Sequence, residues 1–327
     1  MAIIETKENI VTKPKIIVIV GPTAVGKTSL SIALAKRFDG EIISGDSMQI
    51  YKQLDIGTAK ATLTERSGIP HYLIDEVSAA ENYTVSDFQK RARCLIQEIS
   101  AKGKVPIIVG GTGLYMESLL YDVSFGGKGE NDGIFRAEKE AEAAEHGSIY
   151  VWEELKKADP IAAENIHVNN VRRVIRALEV LHVTGRPFSA SQNERETKEP
   201  LYDAKIIGLT TDRALLYKRI NKRVEEMIDQ GLETEARWLV EQGLQEAQAM
   251  RGIGYKEWLP YFNGEGTVSS VVESIQQNSR RYAKRQFTWF RNRMKDVEWW
   301  NLVERPESEK DLIEEVQQFL NQTTLER

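Results

Sequence analysis

Short apolar runs and amphipathic stretches alternate along much of the chain. Five runs have the length and apolar content of buried strands: 15–20, 41–44, 71–75, 105–111 and 204–210. Helical spacing lies between them; Leu30, Leu34 and Phe38, for example, recur at every fourth residue. Strands that alternate with helices favour a parallel sheet covered by helices. The pattern therefore predicts an α/β fold.

The alternation is interrupted once. No strand-like run occurs between 122 and 202, where helix-favouring segments follow one another and one ends at Gly185 and Pro187. The strand pattern resumes at 204–210, and from 212 onward the chain is predicted to be helical, with a closing helix near 309–320. We therefore predict an α/β core formed by 15–121 and 203–327, with an all-helical insertion domain at 122–202.

Composition is that of an ordinary globular protein, with 327 residues, 41% hydrophobic and 28% charged. The longest apolar run is five residues, against the roughly 20 that cross a bilayer, so no membrane span is expected. Residues 1–14 mix acids with bases and do not resemble a signal peptide. The single cysteine, Cys94, excludes an internal disulfide and a cysteine-based zinc site. We expect a cytoplasmic monomer.

Charge is distributed unevenly. The formal net charge is −5, from 44 Lys+Arg against 49 Asp+Glu, but segment 279–295 holds seven bases and no acid. Binding to a polyanion responds to local charge, so a nucleic-acid partner remains compatible with the acidic total. The aromatic residues of this segment (Tyr282, Phe287, Trp289, Phe290) are more typical of a helix core than of base stacking.

The sequence GPTAVGKT at 21–28 fits the phosphate-binding pattern G-x-x-x-x-G-K-[ST] between a strand and a helix. Its glycines let backbone N–H groups turn toward phosphate oxygens, and the following helix N-terminus adds its positive end. Lys27 would reach the distal phosphates and the Thr28 hydroxyl would ligate Mg²⁺. The pattern indicates a diphosphate-like group, and that group need not belong to ATP.

The second candidate segment, SGDSMQIYKQLDIGTAK at 44–60, follows the second predicted strand. The carboxyl ends of parallel strands line the ligand crevice, so Asp46 should project near the phosphate-binding loop. Three roles stay open on this ground: a metal ligand, a general base toward the acceptor, or a helix N-cap.

Five motifs in this order resemble the tRNA dimethylallyltransferases of the bacterial type: GPTAVGKT, DSMQIYKQLDIGTAK, VGGTGLY (109–115), GYKE (254–257) and KRQFTWFR (284–291). The resemblance covers about 15–295. It implies a P-loop NTPase-like core with a helical insertion, and transfer of a dimethylallyl group from dimethylallyl diphosphate to N6 of adenine 37. The acceptors would be tRNAs that read codons beginning with U. The implied partners are the tRNA anticodon stem-loop and the diphosphate donor, with Mg²⁺ as cofactor.

The resemblance also implies site residues. Asp46 would be the catalytic base. The donor diphosphate would contact Gly21, Pro22, Thr23, Ala24, Val25, Gly26, Lys27, Thr28 and Arg223, with Arg219 as a near rival of Arg223. The tRNA would contact Asp46, Ser47, Met48, Gln49, Thr112, Arg136, Arg172, Arg173, Val174, Ile175 and Arg176. The chain departs from the family pattern at several positions, among them Gly45, Arg172 and the Arg251–Gly252 pair.

Two other functions fit parts of the sequence. A small-molecule kinase would use the loop, the sheet and Asp46, but it leaves DSMQIY and the basic segments without a role. A nucleotide-switched RNA-binding protein would need a base-specificity motif such as N-K-x-D, which the sequence does not contain.

Overall fold

The computed structural model describes residues 13–121, 132–190 and 199–322. The chain divides into two compact units. Of the described residues, 13–120 and 201–322 form the first unit, and 121, 132–190 and 199–200 form the second.

The first unit is built on a six-stranded sheet in the order β3-β2-β4-β1-β5-β6, in which every pair is parallel. The strands are β1 (Lys15–Val20), β2 (Gly40–Ser44), β3 (His71–Tyr72), β4 (Val105–Gly110), β5 (Asp203–Leu209) and β6 (Val297–Trp300). The predicted parallel α/β core is confirmed. Because β2, β4 and β1 are neighbours, the loops that follow them begin side by side at one edge of the sheet.

Helices cover the sheet. They are α1 (Lys27–Arg37), α2 (Leu63–Arg66), α3 (Val85–Ala101), α4 (Gly113–Leu120), α9 (Arg213–Asp229), α10 (Leu232–Glu241), α11 (Leu259–Phe262), α12 (Val268–Arg293) and α13 (Glu309–Asn321). Apolar residues of α1 and α13 pack with Ile17 and Ile19 of β1 in one buried cluster. The 26-residue α12 begins at a capping box, in which the Thr267 hydroxyl accepts the Ser270 N–H.

The second unit is helical, with α5 (Gly133–His146), α6 (Ser148–Ala158), α7 (Pro160–Asn165) and α8 (Val171–Thr184). It has its own core, which includes Val151, Leu155 and Val174. Asp132 caps α5 by accepting the N–H groups of Ile134 and Phe135.

Two elements differ from the sequence prediction. The run 71–75 forms only two residues of strand, because Leu73 and Asp75 have φ of 60° and leave the extended conformation. The C-terminal part is not wholly helical, since Val297–Trp300 adds β6 beside β5. This edge strand is short and only half-buried, so it lacks the apolar run that marked the inner strands.

Within the described ranges, no helix combines the length and apolar character that crossing a membrane requires.

Candidate functional site

The loop between β1 and α1 has a backbone that only certain residues can adopt. Gly21 has φ 144°, and a Cβ there would lie 2.6 Å from Leu209 O. Gly26 occupies the N-cap of α1 in the left-handed conformation, with φ 105°. The first-turn N–H groups of α1 therefore point to the loop without a capping side chain, as phosphate-binding helix N-termini require.

A cavity of about 480 Å³ opens at this edge of the sheet. Six of its lining residues are basic: Lys27, Arg219, Arg223, Arg251, Lys256 and Arg285. Asp46 is the sole carboxylate among the lining residues. The cavity is therefore strongly cationic although the chain as a whole is acidic, and this charge balance suits a polyanionic ligand.

Lys27 and Asp46 influence each other inside this cavity. Burial lowers the pKa of Lys27 to about 7; nearby Arg223 lowers it too, and Asp46 opposes the shift. Burial raises the pKa of Asp46, although the Met48 N–H and Lys27 favour its charged form. The Lys27 ammonium donates to Gly21 O (2.9 Å) and Pro22 O (2.6 Å). A base and an acid are thus held in surroundings that penalise both charges.

The N-cap reading of Asp46 is wrong, because no helix starts after it. Its Oδ1 instead accepts the Met48 N–H at 2.9 Å in an Asx turn, and residues 47–50 form a turn. Its carboxylate lines the cavity beside the phosphate-binding loop, where the metal-ligand and general-base readings both remain chemically sound.

The rest of segment 46–60 is fixed by side chains that bridge its backbone. Gln49 accepts from Ser44 Oγ (3.0 Å) and donates to Thr58 O (3.1 Å). Buried Lys60 donates to Tyr51 O and to the carboxylates of Asp55 and Asp75. Lys60, the last residue of the motif, therefore stabilises the fold of the segment and does not line this cavity.

Glu235 of α10 anchors the part of this segment that reaches the cavity. Its carboxylate accepts the N–H groups of Asp55 (2.7 Å), Ile56 (2.8 Å) and Gly57 (2.9 Å), and the Tyr255 hydroxyl (2.7 Å). Gly57 lines the cavity. Nothing in the sequence spacing links Glu235 to residues 178 to 180 positions away, so sequence reasoning missed it.

Gln286 of α12 is a second missed residue. It is buried; its Oε1 accepts the Thr23 N–H (2.9 Å) and its Nε2 donates to Gly111 O (3.0 Å). A Cβ at Gly111 would lie 2.0 Å from that Nε2, so any larger residue there would displace the Gln286 amide. The KRQFTWFR motif includes Gln286, but its spacing of basic and aromatic residues gives no indication of these two backbone hydrogen bonds. Gln286 joins α12 to both loops of the site.

The predicted site residues divide into three groups. The cavity brings together Thr23–Thr28, Asp46–Gln49, Arg219 and Arg223. Gly21 and Pro22 shape the loop through their carbonyl groups, and the Thr112 hydroxyl accepts the Ser47 N–H (3.2 Å). The insertion residues lie in the second unit.

Within that unit, the residues of the RRVIR segment differ in exposure. Arg172 and Arg173 are exposed, whereas the side chains of Val174 and Ile175 are 0% and 1% exposed. Val174 and Ile175 are core residues and cannot contact tRNA through their side chains. α8 turns both side chains toward the interior of the unit, so a tRNA contact at these two positions, which stays a prediction, would involve the backbone.

The basic segment on α12 combines exposed charged side chains with buried and half-buried aromatic ones. Phe290 is fully buried, and Tyr282, Phe287 and Trp289 are half-buried, as the core interpretation expected. The Arg291 guanidinium lies 4.2 Å from the Phe287 ring centre. Tyr282 and Arg285 line the cavity, so α12 also contributes to the site.

The described residues hold no group of three or more His, Cys, Asp or Glu side chains that could bind a metal ion by themselves. The Thr28 hydroxyl and the Asp46 carboxylate both line the cavity. Mg²⁺ retains several waters and takes few protein ligands when substrate phosphates complete its shell, so these two groups fit an ion carried by a diphosphate.

A family model and several known enzymes match most of this chain. The family model for IPP transferase matches residues 49–293. The tRNA dimethylallyltransferase of Enterococcus faecalis is 55% identical over 309 residues, which cover 94% of this chain and 98% of that protein. The enzyme of the same name from Geobacillus thermodenitrificans is 52% identical over 306 residues, covering 94% and 96%.

Solved structures of tRNA-modifying transferases are also similar to this chain. The tRNA isopentenylpyrophosphate transferase of Bacillus halodurans has 44% identity and a TM-score of 0.71, covering 94% of this chain and 97% of that one. A eukaryotic dimethylallyltransferase acting on tRNA has 29% identity and a TM-score of 0.81, covering 96% and 81%.

The anchoring role of Glu235 is testable by stability. Glu235→Ala removes the acceptor of three N–H groups and of the Tyr255 hydroxyl. The N–H groups are not fully buried and can bind water instead, whereas Tyr255 is buried. We expect the free energy of unfolding to fall by about 1–3 kcal/mol in urea titrations. Glu233→Ala, on the same helix, removes only an exposed pair with Arg237, and we expect a loss of about 0.5 kcal/mol or less. Equal losses for the two variants would contradict the anchor.

Proposed function

Since the chain belongs to the IPP transferase family, we propose that it transfers a dimethylallyl group from dimethylallyl diphosphate to N6 of adenine 37 in the tRNA anticodon loop. Diphosphate is the second product. The observation that carries the proposal is the cavity in which a cationic phosphate-binding loop faces the single carboxylate Asp46. The names of the similar enzymes support the substrate classes.

The donor diphosphate fits the cationic side of the cavity. The N–H groups of the loop, Lys27 and Arg223 would surround the diphosphate oxygens. Arg219 donates to Ala24 O (2.8 Å) and so braces the loop from α9. The allylic C–O bond breaks with its electron pair going to the diphosphate, so these donors stabilise negative charge as it develops.

Mg²⁺ would be held by the Thr28 hydroxyl, diphosphate oxygens and water. When bound there, the ion would supply further neutralisation of the departing diphosphate. Binding of a diphosphate would also favour the protonated form of Lys27, because burial, aided by Arg223, lowers its pKa to about 7 and a nearby anion raises it.

Asp46 would serve the acceptor. Adenine N6 is a weak nucleophile, since its lone pair is shared with the ring. As the new N6–C bond forms, N6 loses a proton, and the Asp46 carboxylate is the one cavity-lining group of the right charge to take it. Burial raises the pKa of Asp46, which makes it a stronger base than an exposed aspartate.

The tRNA would contact both units. Arg172 and Arg173 are exposed on α8, and Arg281, Lys284 and Arg291 are exposed on α12. These side chains suit phosphate contacts, which supply most of the affinity for nucleic acid. The target adenine must leave its stack to enter a cavity, and an unpaired loop nucleotide does so at a cost of a few kcal/mol.

The proposed function is tested by measuring whether a labelled group is transferred to tRNA. Purified protein is incubated with labelled dimethylallyl diphosphate and unmodified tRNA, and in parallel with labelled ATP. We expect label in the tRNA from the allylic donor only, and none when adenine 37 is replaced by guanine. Transfer of a phosphoryl group from ATP to any acceptor would instead favour the kinase.

The role of Asp46 is tested by Asp46→Asn. An asparagine Oδ1 can still accept the Met48 N–H, so the turn should persist, but the amide cannot take a proton. We expect the single-turnover transfer rate to fall by roughly 10²–10⁴-fold, with the affinities for donor and tRNA largely retained.

Thr28→Val provides the matched comparison. The loss of transfer rate in Thr28→Val should shrink as the Mg²⁺ concentration is raised, because the variant lacks a hydroxyl that would ligate the ion. Rescue of Asp46→Asn by excess Mg²⁺ would identify Asp46 as a metal ligand and rule out the base.

A further inference from the structure

Glu179 is a buried acid in the basic region of the second unit. Its side chain is 0% exposed, in the middle of α8, where most neighbours are apolar core residues. One of its oxygens, Oε2, accepts from Arg136 Nη2 and from Arg176 Nη1, both at 2.7 Å. The other oxygen, Oε1, is buried and finds no hydrogen-bond partner within the described residues. The charge of Glu179 is therefore directed to the two arginines.

The two arginines come from different helices. Arg176 lies one turn before Glu179 on α8, whereas Arg136 lies in the first turns of α5, 43 residues away. Two further contacts fix α5 at this point: Asp132 lies 3.5 Å from His182, and the Phe135 and His182 rings stack at 4.3 Å. The separation of the two guanidinium groups is thus set by the packing of the helices.

The pair retains exposure and positive charge. The side chains of Arg136 and Arg176 are 40% and 34% exposed, and one carboxylate is shared by two guanidinium groups. Burial acts to raise the pKa of Glu179, but its hydrogen bonds from Arg136 and Arg176 outweigh this and hold it below the ordinary value. The acid therefore stays ionised at neutral pH, and the three groups together carry one net positive charge.

We propose that Glu179 is a positioning residue that assembles Arg136 and Arg176 into one binding site for a phosphate of the tRNA backbone. This inference rests on the proposed function, which supplies the RNA ligand. Each guanidinium carries five N–H donors in a planar fork that matches phosphate oxygens. Holding both forks in place before binding removes the ordering that two flexible side chains would otherwise undergo in the complex.

A different role for Glu179 predicts a result of opposite sign. If the acid served only to neutralise excess charge or to tie α5 to α8, its removal would leave a more positive surface. RNA would then bind as tightly as before or more tightly. An acid whose removal weakens RNA binding has to act through the geometry of its partners.

The test measures tRNA affinity across a salt titration for Glu179→Gln. We expect the dissociation constant to rise about tenfold, because two side chains must now be ordered on binding, and the salt slope to become shallower by about one. Glu154→Gln is the matched control. It removes the same charge from the same unit, where Glu154 pairs with Lys139 (2.8 Å), and it should leave affinity unchanged or slightly higher. Unchanged or tighter binding by folded Glu179→Gln would overturn the proposal.

A second set of variants keeps the buried acid paired. Arg136→Lys, Arg176→Lys and the double variant retain both charges but lose the planar forks. If the two arginines hold one phosphate, each single variant should lose most of the tRNA affinity that the site contributes. The double variant should then lose little more. Losses that add in the double variant would mean two separate contacts and no shared site, even if Glu179→Gln fails to fold.

Failure of the proposed function has a different signature. The unaltered protein would then neither bind tRNA nor transfer the label to it. Transfer by the unaltered protein, together with normal tRNA binding by Glu179→Gln, would reject the positioning role alone.

Discussion

The arrangement of the first unit depends on keeping an ammonium and a carboxylate out of bulk water at the carboxyl edge of a parallel sheet. Lys27 follows β1 and Asp46 follows β2, two strands separated only by β4. Their mutual attraction offsets part of the desolvation that moves both pKa values toward the neutral forms. A charged pair of this kind is useful where an anion departs on one side and a proton is removed on the other.

The loops that carry this pair have little regular structure of their own, so distant parts of the chain hold them. Gln286 binds the backbone on both sides of the cavity, at Thr23 and at Gly111. Glu235 holds the backbone of 55–57, and Arg219 braces the loop at Ala24. The helices after β5 thus work as a frame for loops that come from the first third of the chain. Rigid support of this kind keeps reacting groups in a productive geometry.

Patterns over short stretches predicted the fold and the centre of the site. The apolar run 15–20 and the spacing of GPTAVGKT located β1 and its loop, because both depend on neighbouring residues. Gln286 and Glu235 were missed because their partners are far away in the sequence and carry no matching motif. Val174 was assigned to tRNA by resemblance although its helical spacing with Ala177 and Leu178 is that of a core residue, and the structure follows the spacing. The strand β6 was missed because an exposed edge requires no continuous apolar run.

The pH dependence of kcat/KM for the allylic donor tests the central claim most directly, because this parameter reports ionisations of the free enzyme. Lys27 has a pKa near 7, so it loses its proton as the pH rises through that value and the cavity loses a positive charge. The account predicts that kcat/KM falls by about tenfold per pH unit well above pH 7, and that Lys27→Arg, which keeps its proton, lacks this decline. A profile that is flat from pH 7 to about 9 in the unaltered protein, or a decline of equal size in Lys27→Arg, would contradict the account.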